Sequence, residues 1–184
     1  MKIILVATEK PLLDAWKRHC SDLPGVEIRT GGIIESGADA AVCPLSSNCK
    51  MDRGISLHFK SVLGAGVEER LGKLVREYHG DCFPVGAAEM VATGSGTLPY
   101  LIAAPLLETP QILKGTTNPL LAARAALKLV LDGTFRDGVE KGNRIADVVR
   151  SIAFPGLGTG GYQVTPDECA IQVGMAIREV FPIV

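Results

Sequence analysis

Two kinds of apolar pattern alternate along the chain, and together they predict most of its secondary structure. Short apolar runs and strict alternation are typical of strands, whereas apolar residues that recur every three or four positions are typical of helices. By the first criterion, strands are predicted at residues 2–7, 26–30, 40–45, 87–93, 100–104 and 151–155. By the second, helices are predicted at residues 11–20, 51–62, 67–78, 118–131 and 145–149, and from residue 166 onward.

Two of these helices carry clear start signals. Thr165, Pro166 and Glu168 have the spacing of a capping box, in which Thr165 is the N-cap. Asn118 before Pro119 predicts a second N-cap followed by a proline in the first turn. The helix after the third strand is predicted to have one apolar face, formed by Met51, Ile55, Phe59 and Val62.

The order of the predicted elements indicates the fold class. Strands alternate with helices, which is typical of a parallel sheet with helices on its faces. The turn at residues 94–96 joins two strands directly, so this pair is predicted to be antiparallel. We therefore expect one α/β domain over residues 1–184, a three-layer α/β/α domain with a mixed, mostly parallel central sheet. The polar, glycine-containing residues 134–143 are predicted to be a flexible insertion.

Composition and charge narrow the functional class. The chain has 184 residues, 47% of them hydrophobic, and a formal net charge of −1, so a basic nucleic-acid surface is not indicated. No uncharged apolar segment is long enough to span a membrane. Five cysteines without a Cys-x-x-Cys pair indicate reduced thiols rather than a metal site. The prediction is a cytoplasmic protein with no cofactor or metal and a small-molecule ligand.

A glycine-rich stretch follows the last predicted strand. Residues 156–162, which we call the glycine loop, read GLGTGGY and lead to the capping box at Thr165. Ligands of open α/β sheets usually bind at the carboxyl ends of strands, and successive backbone N–H groups can hold an anion there. The spacing matches neither a P-loop nor a dinucleotide fingerprint. From these residues alone, an anion site and a purely structural turn both remain open.

A second polar stretch follows the strand at residues 40–45. Residues 44–56, which we call the serine loop, read PLSSNCKMDRGIS. If both strands are central and parallel, this loop faces the glycine loop across one cleft. The alternative is an ordinary helix start capped by Asp52 or Ser47.

Three blocks of the sequence, in order, resemble the macro domain family. The first is ADAAVCPLSSNCKMDRGI, which is similar to the branch that reads Pro-Ala-Asn-Ser-Phe-Gly-x-Met-Asp-Gly-Gly-Ile-Asp. The second is FPVGAAEMVATGSGTLPYLIAAP, which resembles that branch's Pro-Val-Gly and Tyr-Leu-Ile-x-Ala-Pro strands. The third is SIAFPGLGTGGY, which resembles the family's last strand and phosphate loop.

The resemblance implies that the two loops bind ADP-ribose or a related metabolite. The glycine loop would surround the diphosphate and the distal ribose, and the backbone of the serine loop would hold the other face of the diphosphate. The positions implied to bind ligand are Gly32, Ile33, Ser46, Ser47, Gly54, Ile55, Gly156, Leu157, Gly158, Thr159, Gly160, Gly161 and Tyr162.

The chain also departs from the family pattern. Gly32 stands where many members have an aspartate that accepts from the adenine amino group. Ser46 and Ser56 stand at the places of a loop asparagine and a hydrolytic aspartate, and Arg53 replaces a loop glycine. Because the differing positions serve base selection and chemistry, the prediction favours binding over catalysis.

Three functional hypotheses follow. The first is a module that binds ADP-ribose or a similar nucleotide diphosphate. The second is a hydrolase of ADP-ribosyl adducts or of phosphorylated ADP-ribose, with Asp52 and Asn48 as candidate catalytic residues. The third is a degenerate macro fold that serves as a protein-interaction module. A nucleophile built from Cys43 or Cys49 with His58 is disfavoured against buried thiols and an ordinary helix histidine.

Overall fold

The computed structural model describes residues 1–80 and 82–182, and this part of the chain holds six strands and six α-helices. The strands are β1 (Lys2–Ala7), β2 (Val26–Thr30), β3 (Ala40–Ser46), β4 (Glu89–Ala92), β5 (Tyr100–Leu107) and β6 (Ser151–Phe154). The helices are α1 (Lys10–Cys20), α2 (Gly54–Leu63), α3 (Gly66–His79), α4 (Asn118–Asp132), α5 (Ile145–Val148) and α6 (Pro166–Val180). None of these helices is long and apolar enough to cross a membrane.

All six strands form one sheet in the order β2-β1-β6-β3-β5-β4. Neighbouring strands are parallel, except that β4 runs antiparallel to β5. The predicted mixed, mostly parallel sheet and the predicted antiparallel pair are therefore confirmed. The last strand of the chain lies at the centre of the sheet, between β1 and β3.

The sheet has an apolar core on each face. In β1, Ile3 and Leu5 contribute to one core, and Ile4 and Val6 contribute to the other, because successive side chains of a strand point to opposite faces. The first core also takes residues from α1, α4 and α6, and the second takes residues from α2 and α3. Helices on both faces of the sheet confirm the predicted three-layer α/β/α architecture.

The helix boundaries correct the sequence prediction at two places. Thr117, not Asn118, is the N-cap of α4, and the Asn118 amide Nδ2 donates to the carbonyl of Leu106 at 2.7 Å. The helix after β3 begins at Gly54 rather than Met51. Met51 lies in the loop before the helix, where its backbone N–H donates to the Glu68 carboxylate at 2.6 Å.

The predicted apolar face of that helix is wrong at its last member. Phe59 is fully buried in the core under the sheet, but the Val62 side chain is 55% exposed. The pattern counted Met51 as the first member of this face, but Met51 packs into the core from the loop before the helix. The predicted register was therefore set by a residue that lies outside the helix.

The segment predicted to be a flexible insertion is held by backbone hydrogen bonds. Thr134 and Arg144 form an isolated antiparallel bridge. Between them, the Phe135 N–H donates to the Asn143 carbonyl at 2.9 Å, and the Gly142 N–H donates to the Phe135 carbonyl at 2.8 Å. The segment is therefore a closed turn rather than a free loop.

Candidate functional site

A cleft of about 750 Å³ lies at the carboxyl ends of the central strands. Because β1, β6 and β3 are adjacent and parallel, the segments that follow them meet at one edge of the sheet. These segments are the start of α1, the glycine loop and the serine loop. The volume is within the range of sites that bind small molecules.

Most of the residues singled out in the sequence line this cleft. Residues 31–33, which follow β2, contribute to its wall together with the two loops. The predicted ligand positions found in the lining are Gly32, Ile33, Ser46, Gly54, Ile55, Gly156, Gly158, Thr159, Gly160, Gly161 and Tyr162. The topology therefore brings the glycine loop and the serine loop to face each other.

The glycines of the glycine loop fall into two groups. A side chain at Gly156 would collide with Thr159 and Leu12, and one at Gly158, where φ is +76°, would come within 2.8 Å of Val164. A Cβ at Gly160 or Gly161 would meet nothing within 4 Å. The first pair is needed for the turn, whereas the second pair leaves the cleft open to a ligand.

Five successive backbone donors of the glycine loop have no partner in the described part of the chain. The N–H groups of residues 158–162 make no hydrogen bond there, although the carbonyls of Gly158, Gly160 and Tyr162 each accept one. Unpaired successive N–H groups are the usual feature of an anion site built from backbone. The loop can therefore offer several donors to one anion without a side-chain charge.

The opposite wall is the N-terminus of α2. Gly54 lines the cleft with φ +52°, and a Cβ there would meet nothing within 4 Å. The first amide bonded within this turn is that of Leu57, which donates to the Arg53 carbonyl at 3.2 Å. Among the described residues, the helix amides before it have no partner, as is usual at a helix start. These donors and the helix dipole favour a negative charge in the cleft.

Basic side chains predominate at the rim. Lys50, Arg53 and His58 line the cleft, against one carboxylate among the described lining residues, that of Glu9. Arg53 Nε donates to Asp52 Oδ1 at 3.2 Å. Asp52, and to a smaller extent the Tyr162 hydroxyl on the opposite loop, raise the pKa of Arg53 above its ordinary value. The electrostatics of the cleft therefore suit an anionic ligand.

Two predicted ligand positions, Ser47 and Leu157, lie outside the lining. The Ser47 hydroxyl is buried and donates to the carbonyl of Leu107 at 3.2 Å. Leu157 is fully buried in the core, and its N–H donates to the Cys169 sulfur at 3.2 Å. Both residues hold their loops through buried hydrogen bonds, and neither lines the cleft.

The two candidate catalytic residues also lie outside the lining. Asn48 is exposed, and its Oδ1 accepts the Lys50 N–H at 3.0 Å within its own turn. Asp52 pairs with Arg53 at the outer edge of the rim. The alternative, that Asp52 or Ser47 caps the helix, is wrong, because Arg53 is the N-cap and has no side-chain cap bond.

The thiols near the site are buried. Burial raises the pKa of the Cys49 thiol to about 12, and it also raises the pKa of Cys43. Both thiols are therefore protonated at neutral pH, and the thiol is the less reactive form of a cysteine. In the described residues, no group of three or more His, Cys, Asp or Glu side chains is placed to hold a metal ion.

The sequence reasoning missed the contribution of the segment after β1. Thr8, Glu9 and Leu12 line the cleft, and so does His58, which was expected to be an ordinary helix residue. The signal for this segment was its position after a buried strand, but only the strand order shows that β1 adjoins β6. Beside Gly32, the Glu35 carboxylate fills the space that a side chain at residue 32 would take.

Comparison with known proteins gives a family and a set of similar folds. The Macro domain family model matches residues 42–173, more than two thirds of the chain. An uncharacterized protein of Aeropyrum pernix is 28% identical over 151 residues, which are 81% of this chain and 68% of that protein.

Two solved structures illustrate the similarity of fold. The macrodomain of Mycobacterium tuberculosis DarG superposes with a TM-score of 0.62 at 15% identity, covering 83% of this chain and 89% of that one. The Oceanobacillus iheyensis macrodomain with ADP gives a TM-score of 0.63 at 17% identity, covering 81% of this chain and 72% of that one.

Proposed function

The chain belongs to the macro domain family, and from this we propose that its cleft binds ADP-ribose or a closely related nucleotide diphosphate. The observation that carries the proposal is the pair of loops that face each other across the carboxyl ends of β3 and β6, both with open glycines. A similar structure, the Oceanobacillus iheyensis macrodomain, has been solved with ADP.

The diphosphate would lie between the two loops. Residues 158–162 offer unpaired backbone N–H groups on one side, and the start of α2 offers further N–H groups beside Gly54 on the other. Both sets of donors are fixed by the fold, so they bind a phosphate with little loss of conformational entropy. Thr159 lines the same space, and its hydroxyl would add a side-chain donor.

The two ends of the ligand would meet different surroundings. Tyr162 and Ser46 would lie beside the distal ribose, and Gly32 and Ile33 would lie beside the base. Gly32 itself has no side chain to accept from an amino group, and the Glu35 carboxylate fills that space instead.

The chain would belong to the family branch with a Met-Asp-Gly-Gly-Ile-Asp-type loop, from which it departs at Arg53 and Ser56. Met51 is fully buried, and its N–H is bound to Glu68, so this methionine anchors the loop before α2 begins. We also assign residues 1–184 to a single domain, because the sheet places β6 between β1 and β3 and so joins the two ends of the chain.

The proposed activity is binding rather than hydrolysis. Neither Asn48 nor Asp52 lines the cleft, and the lining includes one carboxylate, that of Glu9, among the described residues. A degenerate fold without a ligand site is also disfavoured, since the cleft is well formed and Gly54, Gly160 and Gly161 leave its interior unobstructed.

A pair of glycine substitutions tests the proposal. Gly160→Val would fill the cleft, and Gly96→Val is its matched control, because a Cβ at either position meets nothing within 4 Å and only Gly160 lines the cleft. Calorimetry should show the unaltered protein binding ADP-ribose with a dissociation constant on the order of micromolar, and AMP and ribose phosphate about tenfold or more weakly.

Gly160→Val should weaken ADP-ribose binding by about tenfold or more, and Gly96→Val should leave it unchanged. No binding by the unaltered protein would refute the proposed function. Equal binding by the two variants would place the ligand elsewhere on the molecule.

A further inference from the structure

The strand order gives the two ends of the cleft opposite charge. In the order β2-β1-β6-β3, the glycine loop follows the third strand and lies between two other groups of residues. On one side, the serine loop and α2 carry the basic side chains of the lining, those of Lys50, Arg53 and His58. On the other side, residues 8–9 and 31–35, which we call the acidic end, follow β1 and β2 and include Glu9. A ligand that fills the cleft therefore meets positive charge at one end and negative charge at the other.

A second carboxylate, that of Glu35, also belongs to the acidic end. It lies against Gly32, which lines the cleft, and it takes the space in which a Cβ of residue 32 would stand. The Gly31 N–H donates to the Ala7 carbonyl at 3.1 Å, so the segment after β2 adjoins the segment that carries Glu9. Among the residues that the structure describes, neither carboxylate forms an ion pair. Both are therefore available to a ligand as acceptors.

The two carboxylates differ in how firmly the backbone beneath them is held. Glu35 lies in a short 3-10 helix between Ile34 and Ser36, which are both buried, and the Arg29 guanidinium donates to the Ser36 carbonyl. Glu9 lies among exposed residues at the start of α1, and its side chain makes no cap bond. A fixed acceptor loses less conformational entropy on binding than a mobile one does. Glu35 is therefore the better placed of the two to select a ligand group.

We propose that Glu35 is a specificity-determining residue, which accepts a hydrogen bond from an amino group on the base of the bound nucleotide. The inference rests on the proposed function, with the diphosphate between the glycine loop and α2 and the base at the acidic end. An ionised carboxylate has acceptors only, so an amino group satisfies it, whereas a carbonyl oxygen would face it with no proton between them. Gly32 would serve by leaving room for this carboxylate.

The test compares two ligands that differ in this one group. Inosine diphosphate ribose has a carbonyl oxygen in the place of the adenine amino group of ADP-ribose. By calorimetry, the unaltered protein should bind ADP-ribose about tenfold or more tightly than the inosine compound, because a site built to bond a ligand group rejects an analogue that lacks it. Glu35→Gln should reduce this preference to about twofold or less, because an amide both accepts and donates.

Two other glutamates serve as controls. Glu69→Gln removes the same charge from an exposed position on α3, outside the cleft lining, and it should leave the preference unchanged. Glu9→Gln removes a charge from the acidic end itself. Because this charge acts on both ligands alike, the variant should change the two affinities by a similar factor and preserve their ratio.

A relocated carboxylate tests the contact between Glu35 and Gly32. Among the described residues, a Cβ at position 32 would meet nothing within 4 Å except the carboxyl end of Glu35, so Glu35→Ala makes room for a side chain there. Glu35→Ala should abolish the preference, and Gly32→Asp in the Glu35→Ala background should restore about half of it or more. Thermal unfolding of each variant checks that the fold is retained.

Each contrary outcome has a definite meaning. Equal binding of the two ligands by the unaltered protein would overturn the inference and leave the proposed function standing. An unchanged preference in Glu35→Gln would overturn it as well, and a preference lost only in Glu9→Gln would place the acceptor at Glu9 instead. No binding of either ligand would overturn the proposed function together with the inference.

Discussion

At the scale of single residues, the carboxylate of Glu89 shows how a buried charge is accommodated. Glu89 lies on the edge strand β4 and is 2% exposed. His79, at the end of α3, contacts its Oε1 at 2.7 Å, and the guanidinium of Arg136 donates to the same oxygen. A buried carboxylate is tolerated only where partners replace its hydration. The cluster ties α3, β4 and the turn at residues 134–144 to one another.

This arrangement predicts unequal effects for two arginine substitutions. Arg136→Ala should lower the free energy of unfolding by about 2 kcal/mol, because it leaves Glu89 buried with one partner fewer. Arg124→Ala is the control: Arg124 pairs with Glu179 at 3.2 Å, and both side chains are about 40% exposed, so the loss should stay below about 1 kcal/mol. Urea unfolding measures both, and equal losses would contradict the account.

The sequence predicted which residues line the cleft where the backbone forms the lining. It was less informative where the direction of a side chain determines whether the residue lines the cleft. The glycines of the glycine loop and Gly54 lie in the cleft lining, and their position follows from the ends of β6 and β3. Ser47 and Asn48 are close neighbours of Ser46 in the chain, but neither side chain lines the cleft. The Ser47 side chain makes a buried hydrogen bond, and the Asn48 side chain makes one within its own turn. A one-dimensional pattern does not contain that choice of direction.

At the scale of elements, the N-terminus of α6 combines two roles. Thr165 accepts the Glu168 N–H at 3.1 Å, and the Glu168 carboxylate accepts the Thr165 N–H at 2.9 Å, which completes the predicted capping box. Three residues separate the end of the glycine loop from the start of the helix. The cap therefore also fixes the point from which the loop returns to the core.

Two threonines at helix starts allow a matched test of this cap. Thr165→Ala should cost about 1 kcal/mol of unfolding free energy, because it leaves an amide of the first turn without its acceptor. Thr117→Ala, at the N-cap of α4, should cost little, since the Thr117 side chain makes no cap bond. Chemical denaturation compares the two, and a loss at Thr117 as large as that at Thr165 would refute the explanation.

The elements were largely predictable, and the errors have local causes. The strands β1 and β2 agree with the patterns at both ends, and β5 runs three residues further than predicted, through Leu107. The start of α2 was misplaced because Met51 continues the apolar spacing, although Glu68 of α3 holds its N–H. Periodicity cannot distinguish an apolar residue of a helix from one that packs just before it.

At the scale of the whole molecule, buried thiols link stability to pH. Burial raises the pKa of Cys20, Cys49 and Cys169 to about 12, and it raises the pKa of Cys43 as well. An unfolded thiol loses its proton near pH 9.0. Above that pH the unfolded chain binds fewer protons than the folded chain. The contribution of the buried thiols to the free energy of unfolding is therefore complete below about pH 9 and is lost as the pH rises toward 12.

The expected result is a fall in the free energy of unfolding of up to about 1.4 kcal/mol per pH unit for each buried thiol above pH 9. Urea midpoints at pH 8, 9 and 10 measure this slope. Cys43→Ala should make the slope shallower even if it lowers stability at every pH. Cys82→Ser should leave the slope unchanged, because Cys82 is exposed. Identical slopes in the two variants would contradict the assignment.

The overall architecture was predictable as a class but not as a topology. Alternating strands and helices with one direct turn indicated three layers and a mixed sheet. The order of the strands was not accessible, because pairing between β1 and β6 joins residues such as Ile3 and Ile152, which no local pattern connects. For the same reason, the contribution of Thr8 and Glu9 to the cleft could be read only from the folded chain.

The central position of β6 also bears on how the protein is made. A ribosome releases β1 and β3 long before it reaches residues 151–154, yet these two strands have no direct pairing and are joined through β6. A nascent chain that still lacks this strand holds two half-sheets with unsatisfied inner edges, which are exposed to mispairing. The glycine loop follows β6 directly in the chain. The binding cleft and the sheet are therefore completed at the same stage of translation.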